Sequence, residues 1–248
     1  MIELGIAIPT YNEAGNITSL IEGLHKHLSK NKDVSTLVLI IDDSSPDGTA
    51  DIVRRLAKQM STKNFKIELL SRKVKDGLGK AYIAGFNKLL QKNVDYILQM
   101  DADLSHNPAY IPAFVKAAKK NDLIVGSRYM PGGQTPDWSF SRKLQSRMGN
   151  IYARGILGTR VSDYTGGFNM YSSSLLKASA INDIKSTGYG FLIELKYRTL
   201  KNAKNVYQIP IVFNDRQHGK SKLPRSTIVK NLVLVPRLKM EIKSKRDR

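Results

Sequence analysis

Cysteine is absent from the 248 residues, which excludes disulfides, thiolate catalysis and cysteine-ligated zinc, and suits a reducing compartment. No apolar run approaches the roughly 20 residues that a spanning helix needs, so any role at a membrane is expected to be peripheral. The first apolar stretch, residues 2–8, is too short for a secretory leader and leads directly into Pro9-Thr10-Tyr11-Asn12-Glu13. Acidic residues are few: 21 Asp and Glu face 40 Lys and Arg, a net charge of +19. Such a field draws nucleic acid, anionic lipid headgroups or phosphorylated substrates without choosing among them. The basic residues are spread among loops and no RNA-reading aromatic motif is present, which argues against a nucleic-acid-binding protein. Histidines are also few, and His218, the only one beside a basic cluster, has no second imidazole nearby. It reads as a loop residue rather than a metal ligand.

What remains is ordinary for a globular chain, at 41% hydrophobic and 25% charged residues, and the length accommodates one α/β domain with a tail. Apolar runs at residues 4–8, 37–41, 65–70, 96–100, 123–126 and 209–213 read as strands, the second as one covered on both faces. Proline in the last run puts it near a sheet edge. Apolar residues recur at helical spacing between the runs, as in Ile17, Leu20, Ile21, Leu24 and Leu28. A helix from about Ser139 is expected to carry Leu144, Met148, Ile151 and Tyr152 as one stripe, with Arg142 and Ser146 on a different face.

The chemistry concentrates at strand ends, where open α/β sheets bind ligands. Residues 96–100 run into Asp101-Ala102-Asp103-Leu104-Ser105-His106, and Asn107-Pro108 then supplies an N-cap and a proline at a helix start. Residues i and i+2 of a strand point the same way, so Asp101 and Asp103 can converge on one hard cation that neutralises a diphosphate. The same pair would equally serve a helix-capping turn. Pro9-Thr10-Tyr11-Asn12-Glu13 offers an aromatic face and a carboxylate to a base, or is a plain connection. In Asp42-Asp43-Ser44-Ser45-Pro46-Asp47-Gly48-Thr49 the turn residues and a cap at Asp47 or Thr49 are clear. Capping does not account for Asp42 or Asp43, which could accept hydrogen bonds from a nucleobase. Gly77-Leu78-Gly79-Lys80 opens a helix whose N-terminus could hold phosphate, although it is no Walker A loop. The tail from residue 225 interleaves Ile228, Val229, Leu232, Val233, Val235, Leu238 and Ile242 with basic residues, and Pro236 is expected to kink it. Such a segment lies among lipid headgroups or docks on the domain's own surface. These readings divide the chain into a domain over residues 1–223 and a basic amphipathic tail over 224–248.

Taken in order, Ile8-Pro9-Thr10-Tyr11-Asn12-Glu13, Asp42-Asp43-Ser44-Ser45-Pro46-Asp47-Gly48-Thr49, Gly77-Leu78-Gly79-Lys80-Ala81, Asp101-Ala102-Asp103-Leu104-Ser105-His106 and Gly126-Ser127-Arg128-Tyr129 resemble the family 2 glycosyltransferases of GT-A fold. The resemblance extends from Pro9 to Lys222 and is nearest to members that mannosylate polyprenyl (dolichyl) phosphate. It implies a Rossmann-like, mostly parallel central sheet flanked by helices. It also implies a metal-dependent, inverting transfer of mannose from GDP-mannose to a dolichyl or other polyprenyl phosphate, with Mg²⁺ or Mn²⁺ held by Asp101 and Asp103. By the same resemblance Pro9, Tyr11, Glu13, Ile41, Asp43, Asp101, Ala102, Asp103, Arg216 and Lys222 bind the donor. Arg128, Arg142 and Ser146 receive the acceptor phosphate, and Asp101, Asp103 and Arg128 carry the catalysis. A hexosyltransferase using a UDP-sugar would share the metal site and differ at the base pocket. Ser105 stands where many relatives place a metal-binding Gln, and Leu192 where a Gln often precedes the Ile-Glu pair. The paired transmembrane helices that follow the domain in some members are absent from this sequence. The expected location is therefore cytoplasmic, peripheral on the cytosolic face of a membrane, through anionic headgroups or a small membrane subunit.

Overall fold

The computed structural model describes residues 1–215 and 225–244. Its strands are β1 (Ile2–Thr10), β2 (Val34–Asp42), β3 (Phe65–Ser71), β4 (Tyr96–Gln99), β5 (Leu123–Ser127), β6 (Asn169–Ser172) and β7 (Val206–Pro210). They form one sheet in the order β3-β2-β1-β4-β6-β5-β7. Every neighbouring pair is parallel except those made by β6, which runs antiparallel to both β4 and β5. Two reversals cancel, so β5 and β7 point the same way as β1 to β4. The carboxyl ends of those strands and the amino end of β6 therefore share one edge, and the loops that leave it can face a common ligand.

Helices α1 (Ile17–Leu28), α2 (Thr49–Met60) and α4 (Ile111–Ala118) cover one face, and α3 (Leu78–Gln91), α6 (Ser173–Ala178) and α7 (Tyr189–Asn202) the other. The period of two along β1 decides which side chain meets which layer: Leu4, Ile6 and Ile8 join the first core, while Ala7 joins the second with Leu39, Ile41 and Tyr82. All five apolar positions read from the α1 periodicity are buried. Each such side chain contributes roughly 1.5–3 kcal/mol on burial.

Strand β6 has no counterpart among the strands read from the sequence, two elements depart from their sequence reading, and the tail takes one of its two expected places. The last strand begins at Val206, three residues before the apolar run at 209–213, because its parallel pairing with β5 runs from Leu123–Val206 to Ser127–Pro210, and the polar Gln208 within it accepts hydrogen bonds from Ser162 N–H and Oγ–H at 2.8 and 2.7 Å. Residues 211–213 lie beyond it, held by an isolated bridge between Gln134 and Val212 and by hydrogen bonds from Ile211 N–H to Ser127 O and from Val212 N–H to the Tyr110 hydroxyl oxygen. Helix α5 (Phe140–Leu157) starts at the Ser139 cap as expected, yet among its residues only Asn150 and Ala153 are buried. Leu144, Met148 and Ile151 of the expected stripe point outward, whereas Tyr152 is half-buried against the second core. Helix α8 (Arg225–Ser244) contains Pro236 and buries Val235 and Leu238 in the second core. Proline lacks the N–H that would bond the carbonyl four residues back. The Tyr152 hydroxyl of α5 donates to that carbonyl, Leu232 O, at 2.7 Å. Part of the tail thus docks on the domain itself. Among the described residues no helix is long and apolar enough to cross a membrane.

Candidate active site

Strand β4 ends at Gln99, so Asp101 and Asp103 belong to the turn beyond it rather than to the pleat. The i, i+2 argument from strand geometry does not apply, and hydrogen bonds fix the carboxylates instead. Asp101 Oδ1 accepts from the Tyr82 hydroxyl at 2.6 Å, and Asp101 N–H donates to His106 Nδ1 at 3.0 Å. Asp103 Oδ1 accepts from Ser105 Oγ at 2.5 Å and from its N–H at 3.2 Å. Leu104 between them is left-handed, with φ of 64°. A bulky side chain in that region costs on the order of 1–3 kcal/mol and persists only when its surroundings enforce it. Asn12 and Ser44, in the two neighbouring loops, are left-handed as well. Burial lowers the His106 pKa, so the ring is neutral, accepts at Nδ1 and carries its proton on Nε2. Burial also raises the Tyr82 hydroxyl well above its ordinary pKa, which keeps it a donor to Asp101.

The loop after β1 and the loop after β2 are stitched together. Asn12 N–H donates to Ser45 Oγ at 3.0 Å, Glu13 N–H to Thr49 Oγ1 at 3.0 Å and Ala14 N–H to Asp47 Oδ2 at 2.9 Å. Although burial opposes it, hydrogen bonds from Thr49 and Ala14 hold the Asp47 carboxyl below its ordinary pKa. Asp42 is occupied locally by Thr10 and Ser45 at 2.6–3.0 Å, so hydrogen bonding within the loops accounts for it. Asp43 is buried, with Arg72 Nη1 3.1 Å away. Burial raises its carboxyl above the ordinary value against the pull of Arg72. Tyr11 is exposed, with Lys75 Nζ 3.5 Å from its ring centroid. Pro9, Tyr11, Glu13 and Asp43 thus meet at one strand edge. Ile41 differs: its side chain is fully buried in the core, so only its backbone reaches that edge. Gly79 is explained by packing, since a β-carbon there would stand 2.8 Å from the Phe191 ring. Arg216 and Lys222 lie outside the described residues.

Arg128 follows β5 on the same edge. It is buried, donating from Nε to Asp163 Oδ2 at 2.7 Å and from Nη2 to Asp163 Oδ1 at 2.8 Å and Thr165 Oγ1 at 2.8 Å. Its guanidinium carbon lies 5.3 Å from the Tyr129 and Trp138 ring centroids and 5.4 Å from that of Phe213. Arg142 stacks on Trp138 at 4.1 Å and pairs with Asp215 at 3.0 Å. Ser146 accepts from the Tyr129 hydroxyl at 2.5 Å. The three residues expected to receive a phosphate are thereby gathered around two rings. A cleft of about 630 Å³ opens here, lined by Arg128, Tyr129, Lys143 and Arg147 among others. Phe213 joins this basic side to the acidic turn, because its ring also meets His106 edge-on at 5.5 Å.

Asp163 and Lys196 do not stand out in the sequence but hold this arrangement together. Asp163 is fully buried, and despite that burial the guanidinium of Arg128 and the ammonium of Lys196 hold its carboxyl far below the usual range. Lys196, also fully buried, donates to Asp163 O at 2.7 Å and Gly166 O at 2.9 Å. Burial brings its pKa down to about 8. A lysine inside the apolar segment Phe191-Leu192-Ile193-Glu194-Leu195-Lys196-Tyr197 was the available signal. Gly167, two residues past Thr165, brings this loop against the acidic turn, the position of a β-carbon there lying 3.6 Å from Asp101 Oδ2.

Hard carboxylate oxygens at Asp101 and Asp103 suit Mg²⁺ or Mn²⁺, which are commonly held by one or two carboxylates with the remaining positions left to phosphate oxygens and water. Among the described residues no third His, Cys, Asp or Glu joins them. The donor set therefore fits a cation shared with a diphosphate, not a closed structural cage.

Residues 5–179 match the sequence profile of Glycosyl transferase family 2. The chain is 38% identical over 232 residues to an undecaprenyl-phosphate mannosyltransferase of Micrococcus luteus, covering 93% of this chain and 91% of that one. It is 34% identical over 224 residues to a polyprenol monophosphomannose synthase of Mycolicibacterium smegmatis, covering 90% and 82%. In fold it is similar to glucosyl-3-phosphoglycerate synthase of Mycobacterium tuberculosis: 20% identity and a TM-score of 0.65 with the phosphoglyceric acid complex, covering 94% of this chain and 80% of that one. A complex of that enzyme with Mg²⁺ and UDP aligns with a TM-score of 0.64, at 20% identity and 94% and 79% coverage.

Proposed function

The chain belongs to glycosyl transferase family 2, and from that premise we propose that it transfers mannose from GDP-mannose to a polyprenyl phosphate, giving the β-linked lipid. The observation that carries this reading is the convergence of the Asp101-Asp103 turn and the Arg128-Trp138-Arg142 cluster on one edge of the sheet. Both named relatives carry mannose and a polyprenyl phosphate in their descriptions.

A phosphate monoester is anionic at neutral pH, so its oxygen can attack the anomeric carbon without a general base. The chain must instead hold two anions in line and offset their repulsion. Arg128 suits the acceptor side, because Asp163 and the surrounding rings fix its guanidinium before substrate arrives. Arg142 and Ser146 extend that site along α5. Pro9, Tyr11, Glu13 and Asp43 suit the nucleoside, and Ala102, whose side chain is buried in the first core between Asp101 and Asp103, could offer the diphosphate only its backbone. A divalent cation held by Asp101 and Asp103 would supply charge neutralisation to the departing diphosphate. A lipid acceptor brings the reaction to a membrane surface.

Incubation with radiolabelled GDP-mannose and detergent-dispersed polyprenyl phosphate tests the reading. Labelled lipid with inverted anomeric configuration is expected. If UDP-glucose labels the lipid and GDP-mannose does not, the donor assignment fails and the UDP-hexose reading replaces it.

A further inference from the structure

We infer that the Thr165 hydroxyl is a further donor to the acceptor phosphate, beside Arg128, Arg142 and Ser146. A threonine hydroxyl has two lone pairs and one proton. Both lone pairs of Thr165 are taken by groups that donate: Arg128 Nη2 at 2.8 Å and Asn150 Nδ2 at 3.0 Å. Arginine has no acceptor, and the orientation of the Asn150 amide is set by Tyr164 N–H, which donates to its Oδ1 at 2.7 Å. The Thr165 proton must therefore point elsewhere. Among the described residues it meets Asp163 Oδ1 alone, at 3.4 Å, beyond the roughly 2.5–3.0 Å of an ordinary O–H···O bond. That oxygen already accepts from Arg128 Nη2 at 2.8 Å and from the N–H groups of Thr165 and Gly166 at 3.1 and 2.8 Å. The hydroxyl is thus a donor fixed in place that lacks a good acceptor until a ligand brings one.

Its surroundings suit an anion. Thr165 is half-buried, whereas Asp163, Tyr164 and Gly166 around it are buried, so its side chain keeps an open side. The second N–H of the Asn150 amide donates to Ser146 O at 3.0 Å. Arg142, Ser146 and Asn150 recur at intervals of four along α5 and share one face. One amide group therefore separates the Thr165 hydroxyl from the backbone of Ser146, and nothing separates it from Arg128. A phosphate oxygen beside that guanidinium would receive a charge-assisted bond, which is stronger than a neutral one. The inference deepens the proposed function and rests on it. A donor diphosphate offers the same oxygens, and the loop reaches toward the acidic turn at Gly167, so the experiment separates the two sources.

Thr165→Val keeps the shape and loses the hydroxyl, and Thr165→Ser keeps the hydroxyl. A short water-soluble polyprenyl phosphate, and separately GDP with Mn²⁺, are titrated into each protein by calorimetry. Thr165→Val should bind the polyprenyl phosphate roughly tenfold more weakly and GDP as the parent does, while Thr165→Ser should stay within about twofold of the parent for both. Unchanged affinity of Thr165→Val for the polyprenyl phosphate overturns the proposal. A loss that falls on GDP instead also overturns it, by giving the hydroxyl to the donor diphosphate. A second comparison separates direct contact from loosening of Arg128. In an Arg128→Lys background the ammonium can still neutralise Asp163 but has no fork to reach Thr165, and adding Thr165→Val should again weaken the polyprenyl phosphate roughly tenfold. No further loss there would make Thr165 a positioning residue for Arg128 alone and overturn the contact. If the affinities follow this order and GDP-mannose yields no labelled lipid, the transfer reading falls while the phosphate contact stands.

Discussion

Replacing Asp163 by asparagine strips the counter-ion from two buried cations while changing shape little. In the parent, the carboxylate accepts from Arg128 at Nε and Nη2, from Arg128 N–H, and from the N–H groups of Thr165 and Gly166 at 2.7–3.2 Å. An asparagine keeps one acceptor oxygen, turns the other into a donor facing donors, and leaves Arg128 and Lys196 uncompensated in a dry site. Breaking a buried pair by removing one partner costs about 3–5 kcal/mol. In a chain of this size that lowers Tm by roughly 10 °C. Urea unfolding at pH 7 is the assay, with the slope unchanged if the compactness of the two states is unchanged. Repeating the substitution in a Lys196→Met background should recover about 1–3 kcal/mol, because one of the two stranded cations is gone. A loss below about 1 kcal/mol, within the ordinary range for a point mutant, would refute the reasoning, and so would equal losses in the two backgrounds. In kinetics, transfer to the lipid acceptor should suffer more than GDP affinity, since Asp163 serves the Arg128 side.

Three further outcomes are expected. Asp103→Ala should abolish the enhancement of GDP binding by Mn²⁺ in calorimetry, and Tyr82→Phe, which removes the 2.6 Å bond to Asp101, should weaken it roughly 10–100-fold, as loss of an outer hydrogen bond to a metal ligand does. Lys196 has a folded pKa of about 8 against 10.5; between them the unfolded chain binds the proton that the folded protein has released, so stability should rise from pH 8 toward 10 in the parent relative to Lys196→Met. A flat difference between the two proteins across that interval would show that burial of the ammonium carries no cost. Deleting residues 225–248 should lower the thermal midpoint, because Val235 and Leu238 leave the second core; an unchanged midpoint would mark the tail as separable.

The sequence alone determined the α/β class, most strand and helix positions and the ligand edge. Periodicity is a local property, and a strand such as β2 or a helix such as α1 has nearly all its apolar positions satisfied by layers on a known side. The ordered motifs likewise picked out Asp101, Asp103 and Arg128. Where a motif residue serves other loops its role was hidden: Ser45, Asp47 and Thr49 bond the backbone of the loop after β1, and no spacing within their own segment records that. Asp163 and Lys196 were overlooked for the same reason, their meaning lying in Arg128, 35 and 68 positions away in the chain. Periodicity found the stripe of α5 but could not say whether core or solvent lies against it, since a helix presents the same pattern to either. Only the tertiary structure decided that, by filling the space above the sheet with α3 and α7 and leaving the face of α5 uncovered.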